Sequence, residues 1–268
     1  SLELDFGDLS EFTHPVLLGY GWVDYAHSTS NWSAAQRGLA LYPPRLEVAD
    51  GQGGWIEASA DMGYPAGLPK HMTFDLDGLF PSDDYRLRIT TNMALYWDQL
   101  QVGEAASTPL SIHRIQPTAS DLHWRGYPAH TAIKGTFAFR YHYDNLILEA
   151  PWGTHSGAFT RFGPVSELVQ EVDDRYVIMF HGDELTVEFD ADLLPPPAEG
   201  LERSFLLYAD GFGKDMDFHS GNSLSVGPLP FHGMSSYPYP KHEHYPQTAT
   251  HLEYLESYNS RGIRGYYE

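Results

Sequence analysis

The order of apolar and polar residues predicts short β-strands along almost the whole chain. Apolar and polar positions alternate, or apolar residues form brief runs, and most runs end in Gly, Pro, Asn or Asp. Strands are predicted at Val16–Tyr25, Arg45–Ala49, Trp55–Ala58, His71–Leu76, Tyr85–Val102 (as two strands), Leu110–Ile115, Leu122–Gly126, Phe137–Tyr143, Leu146–Leu148, Tyr176–Phe180, Glu184–Phe189 and Phe205–Ala209. This pattern is typical of an all-β protein.

Two segments have helical spacing instead. In Val165–Val172 the apolar residues fall on one face, which predicts one or two helical turns. Thr248–Tyr258, near the end of the chain, is a second short helical stretch. In the middle of the long run Tyr85–Val102, Thr91 and Asn92 are typical of a turn and predict a hairpin of two adjacent strands.

Short strands joined by Gly- and Pro-rich turns predict two packed β-sandwich or jelly-roll units. The boundary falls in Gly103–Pro109, which is small, polar and ends in Pro. The predicted division is a first unit at 1–107, a second unit at 108–232 and an irregular tail at 233–268 that wraps the surface of a domain. Tyr96-Trp97-Asp98 looks like the closing strand of a galactose-binding-like jelly roll, the type expected of the first unit. In an alternative division, the strand at Phe205 returns to complete the first sheet and gives one composite domain.

Composition narrows the partners and the chemistry. With 36 acidic and 16 basic residues among 268, the net charge of −20 disfavours nucleic acid and anionic membrane surfaces, and it favours solubility and cations. The chain has no cysteine, which excludes disulfides, thiolate nucleophiles and cysteine metal sites. The sequence has no run of about 18 apolar residues, so no membrane insertion is expected.

The densest set of polar side chains lies in the loop that follows Phe205–Ala209. Asp215 and Asp217 stand two positions apart and point to the same side of an extended backbone. Such oxygen ligands suit calcium. The predicted metal ligands are Asp210, Asp215, Asp217 and Asn222. The loop lacks EF-hand spacing, and Lys214 beside an acidic residue gives an alternative in which ion pairs and turns shape the loop without metal. A ligand-binding or catalytic site is the third alternative.

Aromatic and polar residues in other loops are candidates for ligand binding. Trp32 stands in the polar stretch HSTSNWS and is the better candidate for an exposed aromatic platform, whereas Trp97 is in phase with Leu95 and is assigned to the core. Trp and Tyr rings bind the C–H surfaces of sugars, and carboxylates and amides fix the hydroxyls. The predicted ligand-binding residues are Asp24, Trp32, Lys214 and His219.

Other catalytic and metal motifs are weak or missing. In His242-Glu243-His244 the second imidazole comes two positions after the first, not four as in the HExxH zinc motif, so the pair is interpreted as surface histidines. The sequence has no G-x-S-x-G nucleophile motif and no phosphate-binding loop. No catalytic residue is assigned. A metal-dependent hydrolase or lyase that uses Asp215, Asp217 and His219 is kept as an alternative.

Six stretches of the chain carry a resemblance to a known family. They are GWVDYAHSTSNWSAAQRG (Gly21–Gly38), DMGYPAGLPKHMTFDL (Asp61–Leu76), TNMALYWDQLQV (Thr91–Val102), FTRFGPVSELVQEVDDRYVIMFHGDELTVEFDA (Phe159–Ala191), the 204–240 segment and YNSRG (Tyr258–Gly262). Together they resemble the region that follows the propeller repeats in bacterial FG-GAP (VCBS-type) and ASPIC/UnbV proteins, which are similar to cartilage acidic protein. The ASPIC/UnbV motif and the FG-GAP calcium loops are absent from this chain. The resemblance implies an extracellular, cell-surface or periplasmic location, calcium-supported β architecture and neighbouring propeller or repeat domains, and it implies no particular reaction.

These observations favour a non-catalytic module of an exported or cell-surface protein that binds a glycan or a protein partner. The recognition or ion site is expected in the Asp210–Asn222 loop and in the loops around Asp24–Trp32. One alternative is a structural or assembly unit of an extracellular fibre or scaffold, which includes self-assembly. We expect a binder to show an exposed aromatic platform, an assembly unit to show an apolar patch or unpaired edge strands, and an enzyme to show a concave pocket.

Overall fold

The computed structural model describes residues 1–66, 69–106, 110–134, 139–149, 155–214, 216–217 and 219–264. Within these ranges the regular structure is mostly β-strands in several antiparallel sheets, with two short α-helices, so the all-β prediction is confirmed. The chain divides into two compact units, Ser1–Leu110 and Ser111–Glu268. None of the helices in the described part of the chain is long and apolar enough to cross a membrane.

In the first unit, the residues that the structure describes form two sheets and one helix. Its strands are β1 (Leu2–Leu4), β2 (Pro15–Asp24), β3 (Arg45–Ala49), β4 (Trp55–Ser59), β5 (Lys70–Asp75), β6 (Leu87–Thr90) and β7 (Ala94–Glu104), and its helix α1 is Ser28–Ala35. One sheet has the strand order β1-β6-β3-β4, and the other has the order β5-β2-β7. Every neighbouring pair in both sheets is antiparallel.

Alternation along β2 shows how the first unit builds its core. The odd-numbered residues from Pro15 to Val23 are buried and the even-numbered residues are half-buried, because successive side chains of a strand point to opposite faces. Leu17 of β2 lies in one buried cluster with Leu46 of β3 and Leu87 of β6. Side chains of both sheets therefore contribute to the same apolar core. The galactose-binding-like jelly-roll type stays a prediction.

The hairpin predicted at Thr91-Asn92 is wrong. Both strands form, but β6 pairs with β1 and β3, whereas β7 pairs with β2. The link between them is tied to a distant residue: the Thr91 hydroxyl donates to the carbonyl oxygen of Tyr42 (3.0 Å), and Asn92 Oδ1 accepts from the backbone N–H of Tyr42 (3.0 Å). These bonds hold the chain where it passes from one sheet to the other, and local turn residues do not reveal such a crossing.

The segment around Trp32 is helical and is not the polar loop that the sequence predicted. α1 contains no Gly or Pro, and Ala34 and Ala35 favour helix. None of its residues is buried, so α1 lacks the apolar stripe by which helices are usually predicted. Trp32 is 48% exposed on this helix.

The described residues of the second unit form three small sheets. Its strands are β8 (Ala119–Trp124), β9 (Tyr127–Ala132), β10 (Phe139–Ile147), β11 (Gly157–Phe159), β12 (Gly163–Pro164), β13 (Asp183–Glu188) and β14 (Arg261–Ile263). Its helix α2 is Ala249–Tyr258, and 3-10 turns cover Ser166–Val169 and Ala191–Leu193. The sheets have the orders β12-β8-β13, β10-β9 and β11-β14.

A buried cluster in the second unit joins β8, the segment after β12 and α2. Its members are Leu122, Val165, Leu168 and Tyr254. The helical turns predicted at Val165–Val172 shorten to one 3-10 turn, whereas the helix predicted at Thr248–Tyr258 is confirmed as α2. The stretch after residue 233, expected to wrap the surface, contributes Tyr254 to this cluster and β14 to a pairing with β11.

Three predicted strands do not form, namely Leu110–Ile115, Tyr176–Phe180 and Phe205–Ala209. In Tyr176–Phe180, the N–H of Ile178 donates to the hydroxyl of Thr160 (2.8 Å). In a β-sheet this N–H would instead donate to a backbone carbonyl of the neighbouring strand. In the third, Leu206 is 97% exposed. Apolar composition favours a strand there, but the segment pairs with none of the described strands, and an unpaired segment gains no sheet hydrogen bonds.

Candidate functional site

The predicted metal ligands of the Asp210–Asn222 loop do not form a cluster in the described residues. Asp215 lies outside the described residues. Asp217 and Asn222 are exposed, and their carbonyl oxygens accept from the N–H groups of Ser220 (3.0 Å) and Ser225 (3.1 Å). Across the part of the chain that the structure describes, no three acidic or histidine side chains are grouped to hold a metal ion.

The ammonium group of Lys214 places a positive charge inside the same loop. Its Nζ donates to the carbonyl oxygens of Ser225 (2.5 Å) and Gly227 (3.1 Å), and it lies 3.4 Å from the carbonyl oxygen of Val226. The ring centre of Tyr237 is 5.3 Å away, within range of a cation–π interaction. Burial lowers the pKa of Lys214. This geometry favours the alternative in which the loop is shaped by its own side chains.

Asp210, the fourth predicted metal ligand, faces a histidine. His232 Nε2 lies 3.1 Å from Asp210 Oδ1, and Nδ1 of the same ring lies 2.6 Å from Asp174 Oδ1. A neutral imidazole has one N–H donor, so an imidazole that faces carboxylates on both sides is best matched in its protonated form. The hydrogen bond to Asp174 raises the pKa of His232.

Further hydrogen bonds hold the carboxylate of Asp174 in place. Its φ of 65° lies in the left-handed region, which Asp tolerates better than most residues. Its Oδ1 also accepts from the backbone N–H of His232 (2.9 Å) and from the hydroxyl of Tyr176 (2.9 Å). Burial opposes ionisation, but the hydrogen bonds from His232 and Tyr176 and the charge of His232 together outweigh it, so the pKa of Asp174 is lowered.

The first unit presents a different kind of site on the β5-β2-β7 sheet. The outward residues of β2 are Val16, Leu18, Tyr20, Trp22 and Asp24, all half-buried. On the flanking strands, His71 and Thr73 of β5 and Tyr96, Gln99 and Gln101 of β7 are exposed. We call the part of this surface formed by Tyr20, Trp22, Asp24, His71, Tyr96 and Gln99 the aromatic face.

Cross-strand pairing positions the rings of the aromatic face. Trp22 is opposite Tyr96, and their ring centres are 5.3 Å apart with 34° between the planes. Tyr20 is opposite His71, with ring centres 4.6 Å apart. Directly opposed residues of a sheet share one face, so the two pairs line up along β2. Tyr96 is 56% exposed, which leaves aromatic surface open to solvent.

Polar groups accompany the rings. Gln99 is opposite Tyr20, and Gln101 is opposite Leu18, so two amides lie along the β7 side of the rings. Asp24 ends the outward row of β2, two positions after Trp22. Together these side chains offer rings for apolar C–H surfaces and donors and acceptors for hydroxyl groups.

Two glycines on the opposite side of β2 hold β7 close. Trp97 lies on the inner side of the sheet, and a Cβ added to Gly19 or to Gly21 would lie 2.9 Å from its ring. At Gly21 the added Cβ would also be 2.4 Å from the carbonyl oxygen of Tyr96, closer than atoms can approach. The inner position of Trp97 agrees with its assignment to the core.

The predicted ligand-binding residues fall in different units. Asp24 lies in the aromatic face, and Trp32 lies in α1, which follows β2 along the chain. Lys214 and the exposed His219 belong to the second unit. The sequence reasoning missed Tyr20, Trp22, Tyr96 and Gln99 as a group. The alternation Gly19-Tyr20-Gly21-Trp22 was the available signal, because it puts two rings on one face and two glycines on the other.

Comparison with known protein families, curated proteins and solved structures finds no match for this chain.

Proposed function

We propose that the chain is a non-catalytic binding module and that the aromatic face binds a neutral glycan. The observation that carries the proposal is the pair of Trp22 and Tyr96, whose rings lie 5.3 Å apart on a sheet surface that is exposed along both flanking strands. Rings in this arrangement bind the C–H faces of sugars, and amide and carboxylate groups fix the hydroxyls. Gln99 and Asp24 supply such groups.

The overall charge favours a neutral ligand. A net charge of −20 repels anionic polysaccharides at long range, whereas stacking against neutral sugars is unaffected by it. An exported or cell-surface location, the relation to the region downstream of FG-GAP propeller repeats and a calcium-stabilised loop belong to the same proposal. The location and the neighbouring propeller repeats rest on the sequence resemblance, and the calcium-stabilised loop rests on the predicted oxygen ligands of residues 210–222 together with that resemblance.

The test is isothermal titration calorimetry of the protein with neutral oligosaccharides built from glucose, mannose, galactose and xylose. We expect binding to at least one class, and we expect Tyr96→Ala and Gln99→Ala each to weaken it by about tenfold, the loss of roughly one stacking or hydrogen-bond contact. Tyr64→Ala is the matched control, because Tyr64 is a partly exposed ring of the same unit outside the aromatic face. No binding in any class, or equal affinity in Tyr96→Ala and the wild type, would refute the proposal.

A further inference from the structure

The segment Phe205–Ala209 has the composition of a strand that the chain leaves unused. Phe205, Leu206, Leu207 and Tyr208 are consecutive apolar residues, each more than 70% exposed. In the described part of the chain no backbone hydrogen bond involves residues 204–209. An exposed apolar run with free N–H and C=O groups is suited to pair with the edge of a sheet.

Both ends of this segment are anchored. On one side, Arg203 Nη2 donates to the carbonyl oxygen of Pro195 (2.7 Å). On the other side, Asp210 is held by His232 (3.1 Å). The six residues between the anchors are therefore presented at the surface of the second unit at a defined place, which lowers the entropy that pairing must overcome.

The second unit also carries an open edge. β10 pairs with β9, and no other described strand pairs with β10. All nine residues of β10 are exposed. Regular pairing with β9 covers Phe139–His142 and resumes at Leu146 after an irregularity, so the continuous part of the edge has about the length of the unused segment. Two-stranded sheets are marginally stable alone, and a third strand would stabilise this one.

One face of β10 adds an apolar surface beside that edge. Phe139, Tyr141 and Tyr143 alternate along the strand and so point to one side. The ring centres of Tyr141 and Tyr143 are 6.2 Å apart, and His130 of β9 lies 4.7 Å from the ring centre of Phe139. Alternate side chains of an added strand would lie against these rings.

We propose that a second copy of this chain supplies Phe205–Ala209 as a third strand against the edge of β10 that pairs with no described strand, beside Phe139–His142. Two copies each with a charge of −20 repel one another, so they associate best through surfaces that carry no acidic residue. Phe205–Ala209 is uncharged, and Phe139–Tyr143 contains Arg140 and no acidic residue. Each copy holds one donor segment and one acceptor edge, so the contact gives a closed dimer where the symmetry closes and an extended assembly where it does not.

The first test is the oligomeric state, measured by sedimentation velocity of the full chain from nanomolar to high micromolar concentration. We expect concentration-dependent association that Leu207→Pro abolishes, because Pro removes the N–H that a sheet ladder needs. We expect the monomer to tolerate this change, since residue 207 makes no backbone hydrogen bond in the described structure. Ile112→Pro is the matched control: Ile112 is 76% exposed in a segment without regular structure, and its substitution should leave association unchanged.

The second test fixes the geometry and relies on the absence of natural cysteines. A copy carrying Leu207→Cys is mixed, under mild oxidation, with copies that carry one cysteine at each position from 139 to 143. We expect cross-links at alternate positions, because opposed residues on one face of a sheet have Cβ atoms about 5 Å apart and the neighbouring positions point away. Ile112→Cys should not cross-link. A monomer at every concentration, association that survives Leu207→Pro, or cross-linking without alternation would each overturn strand addition, and none of these outcomes bears on glycan binding by the first unit.

Discussion

His232 Nδ1 lies 2.6 Å from Asp174 Oδ1, although 58 residues separate the two in the chain. The imidazole also reaches Asp210, so three residues from distant parts of the second unit meet at one ring. The pairing with Asp174 raises the pKa of His232, and the bonds from His232 lower the pKa of Asp174 against the effect of burial. Both shifts favour the charged forms in the folded state, and this gives the first prediction.

We predict that stability falls above neutral pH and that His232→Gln removes this fall. A histidine with a raised folded-state pKa contributes stability that is complete below its unfolded pKa, about 6.5, and that is lost as pH rises through the folded-state pKa. The measurement is the thermal melting temperature between mildly acidic and mildly alkaline pH. His242→Gln is the control, because its ring is 82% exposed and its nearest carboxylate oxygen is 3.8 Å away. An unchanged slope in His232→Gln would contradict the assignment.

At acidic pH, the contact between His232 and Asp174 predicts the opposite change, a loss of stability as pH falls. A carboxylate with a lowered folded-state pKa contributes stability above its unfolded pKa, about 3.9, and loses it as pH falls through the folded-state value. We expect Asp174→Asn to melt at a lower temperature than the wild type at neutral pH and to approach it in strong acid. Asp192→Asn, at an exposed position of the second unit outside the predicted metal ligands, should follow the wild-type curve. A constant difference between Asp174→Asn and the wild type at every pH would count against an ionised Asp174.

Lys214 gives a prediction about the loop that follows the unused segment. Lys214→Met removes the ammonium group that donates to the carbonyl oxygens of Ser225 and Gly227. The expected loss in the free energy of unfolding is about 1–2 kcal/mol, the usual effect of losing hydrogen bonds from a half-buried charged donor to partly exposed carbonyl groups. Urea denaturation measures it, with the exposed Lys241→Met as control. Equal stability in both variants would show that Lys214 does not organise the loop.

Calcium binding by the same loop is tested by its effect on melting. If Asp215 and Asp217 hold calcium, added calcium chloride raises the melting temperature, a chelator reverses the rise, and the Asp215→Asn/Asp217→Asn variant responds to neither. Glu199→Gln, which removes one exposed negative charge elsewhere in the second unit, controls for general charge effects. If the wild-type protein has the same melting temperature in calcium and in chelator, a stabilising calcium site in this loop is excluded.

The local pattern of apolar and polar residues was sufficient to predict the all-β fold class and most strand positions, because an alternation such as that around Tyr20 and Trp22 is a property of neighbouring residues. It was insufficient where the partner lies far along the chain. The turn at Asn92 is held by Tyr42, and His232 is held by Asp174, and these distances in sequence leave no periodic signal. Phe205–Ala209 shows the converse, since strand propensity is present there but a strand also requires an edge to pair with.

The close approach of β2 and β7 is tested at Gly21. In Gly21→Ala the new methyl group would lie 2.4 Å from the carbonyl oxygen of Tyr96, so the strands must separate and the Trp22–Tyr96 pair must shift. We expect a loss of about 1–3 kcal/mol in the free energy of unfolding, as for overpacking elsewhere, together with weaker glycan binding. Gly103→Ala is the control in β7, because its methyl group would meet the end of the Leu18 side chain at 3.3 Å, which can move aside. Urea denaturation measures the stability of both variants, and titration measures their affinity for the glycan. If Gly21→Ala and Gly103→Ala have the same stability and the same affinity, the spacing of these strands does not set the geometry of the aromatic face.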